Sequence, residues 1–431
     1  MSSILLKNIT LNGTPSDVII SEGIIKKILP SGKIQELPLD KETAPTLIGD
    51  AEVVDCSGKT ALPGFVNMHT HAAMSLMRGM KEDAALHEWL SKIWQLEANL
   101  NDELVYWGTK VAALEMIKTG TTTFNDQYWY LPSAHKAAIE TGVRPVLSYV
   151  ILDNGNPDEA ARQKEQCQRR YEESLKWNDG SIFSIAIHAV YTVSEEMILW
   201  ATEFARSHGL ILQLHLSETL KEVLDCKAAH GGLTPVQYLD SLGVFDSRVN
   251  AAHSLWLSPE DVKILGERKV NCVHNINSNT KLSSGYKFLY NELRDAGANI
   301  CIGTDGCASS NNLDMLEAMK TSAIIQKAWR EDPKVWPLEE LFACGTINGA
   351  KALRVDTGII EEGKIADILI VNTDSSFFLS NGPFLANLVY SAHSDCIESV
   401  IVNGKFVMRG RRVEGEEEIL SNARRIISEL Q

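Results

Sequence analysis

Leu62-Pro63-Gly64-Phe65-Val66-Asn67-Met68-His69-Thr70-His71 is an apolar run that closes on two histidines spaced by one residue. On a strand, side chains alternate faces with period two, so His69 and His71 point the same way. Two imidazoles side by side at the end of a buried strand make half of a metal site. Two surface histidines would give the same text, so the meaning of the pair depends on what the rest of the chain supplies.

Further along, short apolar runs alternate with helical patterns between about 62 and 360. Strand candidates are Pro145–Val150, Phe183–His188, Leu210–His215, Val249–His253, Val270–His274 and Ile300–Asp305. Asn101-Asp102 opens a helix with apolar residues at Leu104, Trp107, Val111, Leu114 and Ile117, ending at Gly120. Near-continuous apolar strands alternating with helices indicate a parallel sheet covered by helices, and roughly eight such units favour a closed barrel. The expected fold class is therefore α/β, a (β/α)8 TIM-type barrel over 62–361.

Both ends read as short strands with turn residues between them, including Ile4–Leu11, Asp17–Ile20, Ile24–Ile28 and Ile365–Val371. Asn403-Gly404, between two apolar runs, is a hairpin signal. Residues 1–61 together with 362–413 are expected to pair into one small β-sandwich domain, and 414–431 to form a C-terminal helix.

The strand candidates share one property. They end on His69 and His71, His188, His215, His253, His274 and Asp305, whereas His87, His135, His208, His230 and His393 fall elsewhere. A barrel builds its active site at the C-terminal ends of its strands. The pattern predicts that these residues form one cluster in space.

Composition narrows the class. The 431 residues carry a formal net charge of −15, which argues against nucleic acid or an anionic membrane as partner. No basic n-region with a long apolar core opens the chain, and no run of about 18 apolar residues occurs. The eight cysteines are scattered with no Cys-X-X-Cys, as in a reduced, cytoplasmic protein.

The chain resembles the amidohydrolase superfamily, in particular its methylthioadenosine/S-adenosylhomocysteine deaminase-like branch. The matching text is Pro63–His71, His215-Leu216-Ser217-Glu218-Thr219, Ala252-His253, Ser278-Asn279-Thr280-Lys281-Leu282 and Gly303-Thr304-Asp305-Gly306. The resemblance implies that His69, His71, His215 and Asp305 bind one divalent metal, zinc first, with Fe2+ or Mn2+ as alternatives. Three neutral imidazoles and a carboxylate suit such a borderline cation. No lysine stands at a strand end in this region, which favours one metal over a carbamate-bridged pair.

The resemblance further makes Glu218 a proton shuttle from water to the ring nitrogen beside the attacked carbon. His253 becomes the residue that orients the water, and Asp305 a ligand that also relays a proton. Glu97 matches a ribose-binding glutamate and His188 a histidine that donates to the nucleoside. His274 is either another site residue or a structural one, and Trp89 and Met77 are candidate walls of the pocket. An arginine expected after the third strand stands as Tyr149 or a neighbour, which weakens S-adenosylhomocysteine as substrate unless Arg162 replaces it.

The implied activity is that of an aminohydrolase acting on cyclic amidines. It would convert a 6-aminopurine nucleoside (methylthioadenosine, adenosine, 5′-deoxyadenosine or S-adenosylhomocysteine) to its inosine analogue and ammonia. Deamination of a free base or pterin, dechlorination of a triazine and a non-catalytic metal-binding barrel are the alternatives. The expected partner is this small molecule, and a homo-oligomer is left open. The His-X-Glu and Pro-Cys-X-X-Cys signature of the nucleic-acid deaminases is absent.

Overall fold

The structure, a computed structural model, describes residues 3–33, 51–84 and 86–429. Residues 1–2, 34–50 and 430–431, which fall within the terminal ranges read above, lie outside the described residues, as does residue 85.

Eight parallel strands form the central sheet: β1 Phe65–Thr70, β2 Thr121–Tyr128, β3 Arg144–Ile151, β4 Ile182–Ile187, β5 Ile211–Leu216, β6 Arg248–His253, β7 Asn271–His274 and β8 Asn299–Ile302. They pair in sequence order. Asn67 and Thr304 exchange two bonds across the remaining gap, Nδ2 to Oγ1 at 2.7 Å and Thr304 N to Asn67 Oδ1 at 3.0 Å. Asp305 N adds a bond to the carbonyl of His69 at 2.9 Å, so the last strand closes on the first. The fold is an α/β barrel of the expected type.

The second strand had no counterpart among the sequence candidates. Thr121-Thr122-Thr123 opens it with β-branched but polar residues, so no apolar run announces it, although every residue from Thr121 to Tyr128 is buried.

Both chain ends build one mixed sheet. Lys405–Met408, Ile397–Val402, Ile368–Asn372, Lys59–Pro63, Ile4–Leu11, Thr14–Ser21 and Ile24–Pro30 lie in that order, with Glu52–Asp55 parallel to Ile4–Leu11. The hairpin at Asn403-Gly404 has φ of 49° and 72°, the two positive values that a tight two-residue turn demands.

The helix over Asp102–Lys118 begins as read from the sequence, with Asn101 Oδ1 accepting from Leu104 N at 2.9 Å. Its Gly108 lies against the turn Ala72–Met77, where a Cβ would come within 2.5 Å of the Ala73 carbonyl. That close approach holds the segment after His71 in place. Among the described residues, no helix is long and apolar enough to cross a membrane. All eight cysteines are buried and unpaired.

Candidate active site

His69 lies within β1, and His71 follows it by one residue. The His69 Nε2 is 3.5 Å and the His71 Nε2 3.2 Å from Asp305 Oδ1, while His215 Nε2 is 3.4 Å from His71 Nε2. One nitrogen from each of the three histidines lies within 4.8 Å of the others. The Nδ1 of His69 has no hydrogen-bond partner and its Nε2 has only the long contact to Asp305, although the residue is fully buried. A buried imidazole without a partner is costly unless something else takes its lone pair. The His71 Nδ1 lies 2.7 Å from the Gln127 carbonyl, which fixes a proton there and turns the Nε2 lone pair toward the cluster.

Electrostatics agree with a cation site. Burial lowers His69 to about 4 and holds His215 well below its ordinary value, so both are neutral donors at pH 7. Burial also opposes charge on His71, but the Asp305 carboxylate and the Gln127 carbonyl outweigh it and raise His71 to about 9. Burial disfavours the Asp305 carboxylate, yet His69 and His71 hold it well below the usual range. A proton on His71 and a divalent cation answer the same demand for positive charge beside Asp305. Three imidazoles and one carboxylate are a fitting donor set for such an ion.

Backbone detail explains the convergence. A Cβ on Gly303 would come within 2.9 Å of the His69 backbone nitrogen, and one on Gly306 within 3.0 Å of the His71 Cβ. Only glycine lets β8 end this close to the His69–His71 segment. Asp305, His253 and Ser217 all have positive φ, of 62°, 71° and 47°, strained conformations at the strand ends that turn side chains inward. Buried Asp126 accepts from Ala72 N at 2.7 Å and from Thr70 Oγ1 at 3.0 Å, tying down the same loop.

Glu218, after β5, faces this cavity, with Oε1 accepting from Ser284 Oγ at 3.2 Å. Burial, reinforced by the charge of Asp305, raises it to about 8. His253 Nε2 is 3.7 Å from Glu218 Oε2. Its Nδ1 accepts from the Asn279 amide at 2.8 Å, so neutral His253 carries its proton on the nitrogen that faces Glu218. His188 lies at the mouth of β4, held through Nδ1 at 2.8 Å from Thr192 Oγ1, and burial lowers it to about 3.

Glu97 ends the helix Leu86–Glu97, whose Leu86, Trp89, Leu90, Ile93, Trp94 and Glu97 line the cavity at helical spacing. Its carboxyl accepts from Tyr128 Oη at 2.8 Å. Trp89 is buried in the wall, its Nε1 donating to the Ala308 carbonyl at 3.2 Å.

Two expectations move. Met77 is packed in the core, and Met74 lines the cavity in its place, because the turn Ala72–Met77 presents a different face from the one read in sequence. His274 lies outside the cavity, stacked on Phe288 with centroids 4.4 Å apart. Tyr149 and Arg162 line a second, outer cavity of about 650 Å³ that shares Glu97, Trp94, Trp129 and Val150 with the first. There Arg162 Nε is 2.8 Å from Glu159 Oε2 and Arg170 is 2.6 Å from Glu173.

Sequence reading missed Asp126, Gln127 and Tyr128, all on the unrecognised β2. It also missed Asn279 as the partner of His253, and Glu222. The Glu222 carboxylate accepts from the backbone N–H groups of Ser217 and Glu218, both at 2.8 Å. The cluster of β-branched residues at 121–123 was the available signal for β2; for the others, only proximity reveals them.

A sequence model described as the amidohydrolase family matches residues 60–407. The chain is 42% identical over 380 residues to a 5′-deoxyadenosine deaminase of Methanospirillum hungatei, covering 88% of this chain and 84% of that one. It is 43% identical over 369 residues to a 5-methylthioadenosine/S-adenosylhomocysteine deaminase of Archaeoglobus fulgidus, covering 85% and 87%. Among solved structures it is similar to an adenosine deaminase from Xanthomonas campestris with bound zinc, at 30% identity and a TM-score of 0.87, covering 96% and 93%. A barrel whose strand ends bring three histidines and an aspartate together, matched along most of its length, identifies the chain as a member of the amidohydrolase family.

Proposed function

We propose that this protein is a metal-dependent hydrolytic deaminase of adenosine-type nucleosides, releasing ammonia and the inosine analogue. The observation that carries the reading is that His71, His215, Asp305, Glu218 and His253, with His69 buried against them, meet at one cavity that also reaches Glu97. Relatives named as deaminases of 5′-deoxyadenosine and of methylthioadenosine/S-adenosylhomocysteine support it over most of the chain.

His69, His71, His215 and Asp305 would hold the ion, and zinc is favoured by the donor set and by the zinc in the Xanthomonas campestris structure. When bound, the ion would act as a Lewis acid that brings the pKa of water down to about 7. The His253 Nε2–H, which faces Glu218, would donate to the attacking water and orient it toward C6 of the purine. Glu218 takes one proton from the water and delivers it to N1, which draws electrons out of the ring as the C–O bond forms. Its raised pKa suits a carboxyl that must retain a proton between the two transfers. Asp305 takes the second proton and passes it to the departing amine, so the water oxygen remains as the C6 carbonyl and the amino group leaves as ammonia. Glu97 accepts from the ribose 2′- and 3′-hydroxyls, and His188 contacts the nucleoside through its Nε2.

The outer cavity beside Glu97 supplies room for a 5′ substituent. Both arginines there already have carboxylate partners, Glu159 and Glu173, which favours a neutral group such as 5′-deoxy or methylthio over a homocysteine carboxylate.

The test is ammonia release from adenosine, methylthioadenosine, 5′-deoxyadenosine, S-adenosylhomocysteine, guanine and adenine, with metal analysis of the same sample. Turnover of the nucleosides above the free bases is expected. Glu218→Gln should keep its metal and lose about 10²–10⁴-fold in kcat. Preference for guanine would place the protein elsewhere in the family, and no turnover by metal-replete protein would leave a binding barrel.

A further inference from the structure

The Gln127 side chain has no place in the scheme above. The residue is 2% exposed, it lines the catalytic cavity, and neither its Oε1 nor its Nε2 has a hydrogen-bond partner. Asn125, two residues earlier on β2, turns its amide into the barrel and donates to Gln213 Oε1 at 2.9 Å. Side chains two apart on a strand share a face, so Gln127 stands on the same inner face, one pleat nearer the cavity. A buried carboxamide with both ends unmatched is costly, and such groups are exceptional enough to need a reason.

Its neighbours say what it would meet. The Gln127 carbonyl lies 2.7 Å from Nδ1 of His71, at the metal-ligating end of the cavity. The next residue, Tyr128, donates to Glu97 at 2.8 Å, at the end assigned to the ribose diol. Gln127 therefore sits between the place of C6 and the place of the sugar hydroxyls. A purine nucleoside has two edges spanning that interval. One offers N7 as an acceptor beside a C–H, and its only donor is the 6-amino group, which stands at the metal-ligating end and is replaced by an acceptor oxygen in the product. The other offers N3 as an acceptor next to the 2′-hydroxyl, a donor. A carboxamide carries one N–H donor group and one acceptor oxygen side by side, and between C6 and the sugar only the second edge satisfies both, in substrate and product alike.

We propose that Gln127 is a specificity-determining residue that reads the sugar edge of the nucleoside, its N–H donating to N3 and its oxygen accepting from the 2′-hydroxyl. This rests on the nucleoside-deaminase reading and deepens it. It makes the enzyme demand base and ribose together, because a free base lacks the hydroxyl and leaves the buried oxygen unpaired. Sites built around a hydroxyl reject analogues without it far more strongly than apolar pockets reject a missing methylene.

A cycle across enzyme and ligand tests it. Dissociation constants are measured for inosine, 3-deazainosine, 2′-deoxyinosine and 7-deazainosine, products that the enzyme does not consume. Wild type is compared with Gln127→Leu, and with the unbranched Gln127→Met as the second variant should leucine not fold. Metal content and melting temperature serve as controls on each protein. Substitution should weaken inosine and 7-deazainosine about tenfold, and weaken 3-deazainosine and 2′-deoxyinosine at least threefold less. Equal losses for all four ligands, no loss, or a reduced loss for 7-deazainosine alone would overturn the assignment. In each of those cases a protein that still releases ammonia from nucleosides keeps its deaminase reading. A protein that releases none refutes that reading itself.

Discussion

Glu97 is a carboxyl whose position gives it two opposite pH signatures. Burial raises it from the usual 4.5 to about 7, against the hydrogen bond from Tyr128, which lowers it. Between those values the folded protein keeps a proton that the unfolded chain has lost. Its contribution to stability is therefore full below about 4.5 and fades as pH rises through 7. Binding should run the other way, since in the proposed role the ionised carboxylate would accept from both sugar hydroxyls and the protonated one has less acceptor capacity. The KM for a nucleoside is expected to fall as pH rises through about 7. Glu97→Gln should raise KM about tenfold and flatten that limb, as steady-state kinetics from pH 5.5 to 8.5 would read. An unchanged KM profile in the variant would remove Glu97 from the ribose.

At the scale of elements, the helix Leu86–Glu97 decides access. It places six residues of one face over the cavity, from Leu86 to Glu97, while Trp94 keeps 40% of its surface exposed at the rim. Beneath it the open space is about 50 Å³, against the roughly 300–1,000 Å³ of small-molecule sites. A nucleoside needs more room than this, so its entry is expected to displace the helix, which would shut water out on its return. Amide exchange should slow across 86–97 when a product nucleoside saturates the enzyme, with little change in the buried helix Asp102–Lys118. Equal exchange in that segment with and without ligand would mean that the nucleoside enters by another route. The two helices were not equally legible. Asn101 and Gly120 announced the second in the sequence, whereas the first earns its role through what lies under it.

In the whole molecule, the barrel and the mixed sheet are joined by a buried ion pair. Arg144 at the start of β3 meets Asp367, which is 1% exposed; Nη2 lies 3.3 Å from Oδ1, and Nη1 bonds the other oxygen. Arg144 also donates to Thr123 at 3.0 Å, and Asp367 accepts from the backbone of Asn403 at 2.7 Å. Removing one member of such a pair leaves the other charge buried and uncompensated. Asp367→Ala should therefore cost about 3–5 kcal/mol of unfolding free energy. Replacing both residues with leucine should recover part of that loss, since an apolar pair leaves no stranded charge. Denaturant titration of the three proteins reads this directly, and wild-type stability in Asp367→Ala would show that the pair does not hold the two parts together.

The sequence by itself determined the barrel and its polar strand ends, and its resemblance to a known family pointed to His69, His71, His215, Asp305 and Glu218 among the residues there. Apolar periodicity marks strands and helices locally, and a barrel gathers its strand ends by construction. That rule gathers His69 and His71 with His188, His215, His253, His274 and Asp305, and the family resemblance picks His215 and Asp305 out of them as partners of the pair. Tertiary structure alone decided the rest. It put Met74 rather than Met77 on the cavity wall, moved His274 into an aromatic stack, and seated Asn279 behind His253. It also revealed β2, whose threonines carry no apolar signal, and with it the unmatched amide of Gln127. The reason is physical. Secondary structure follows from neighbours along the chain, whereas a hydrogen-bond partner or a cavity wall depends on which segments the packed fold brings within a few ångströms, and no spacing in the sequence encodes that distance.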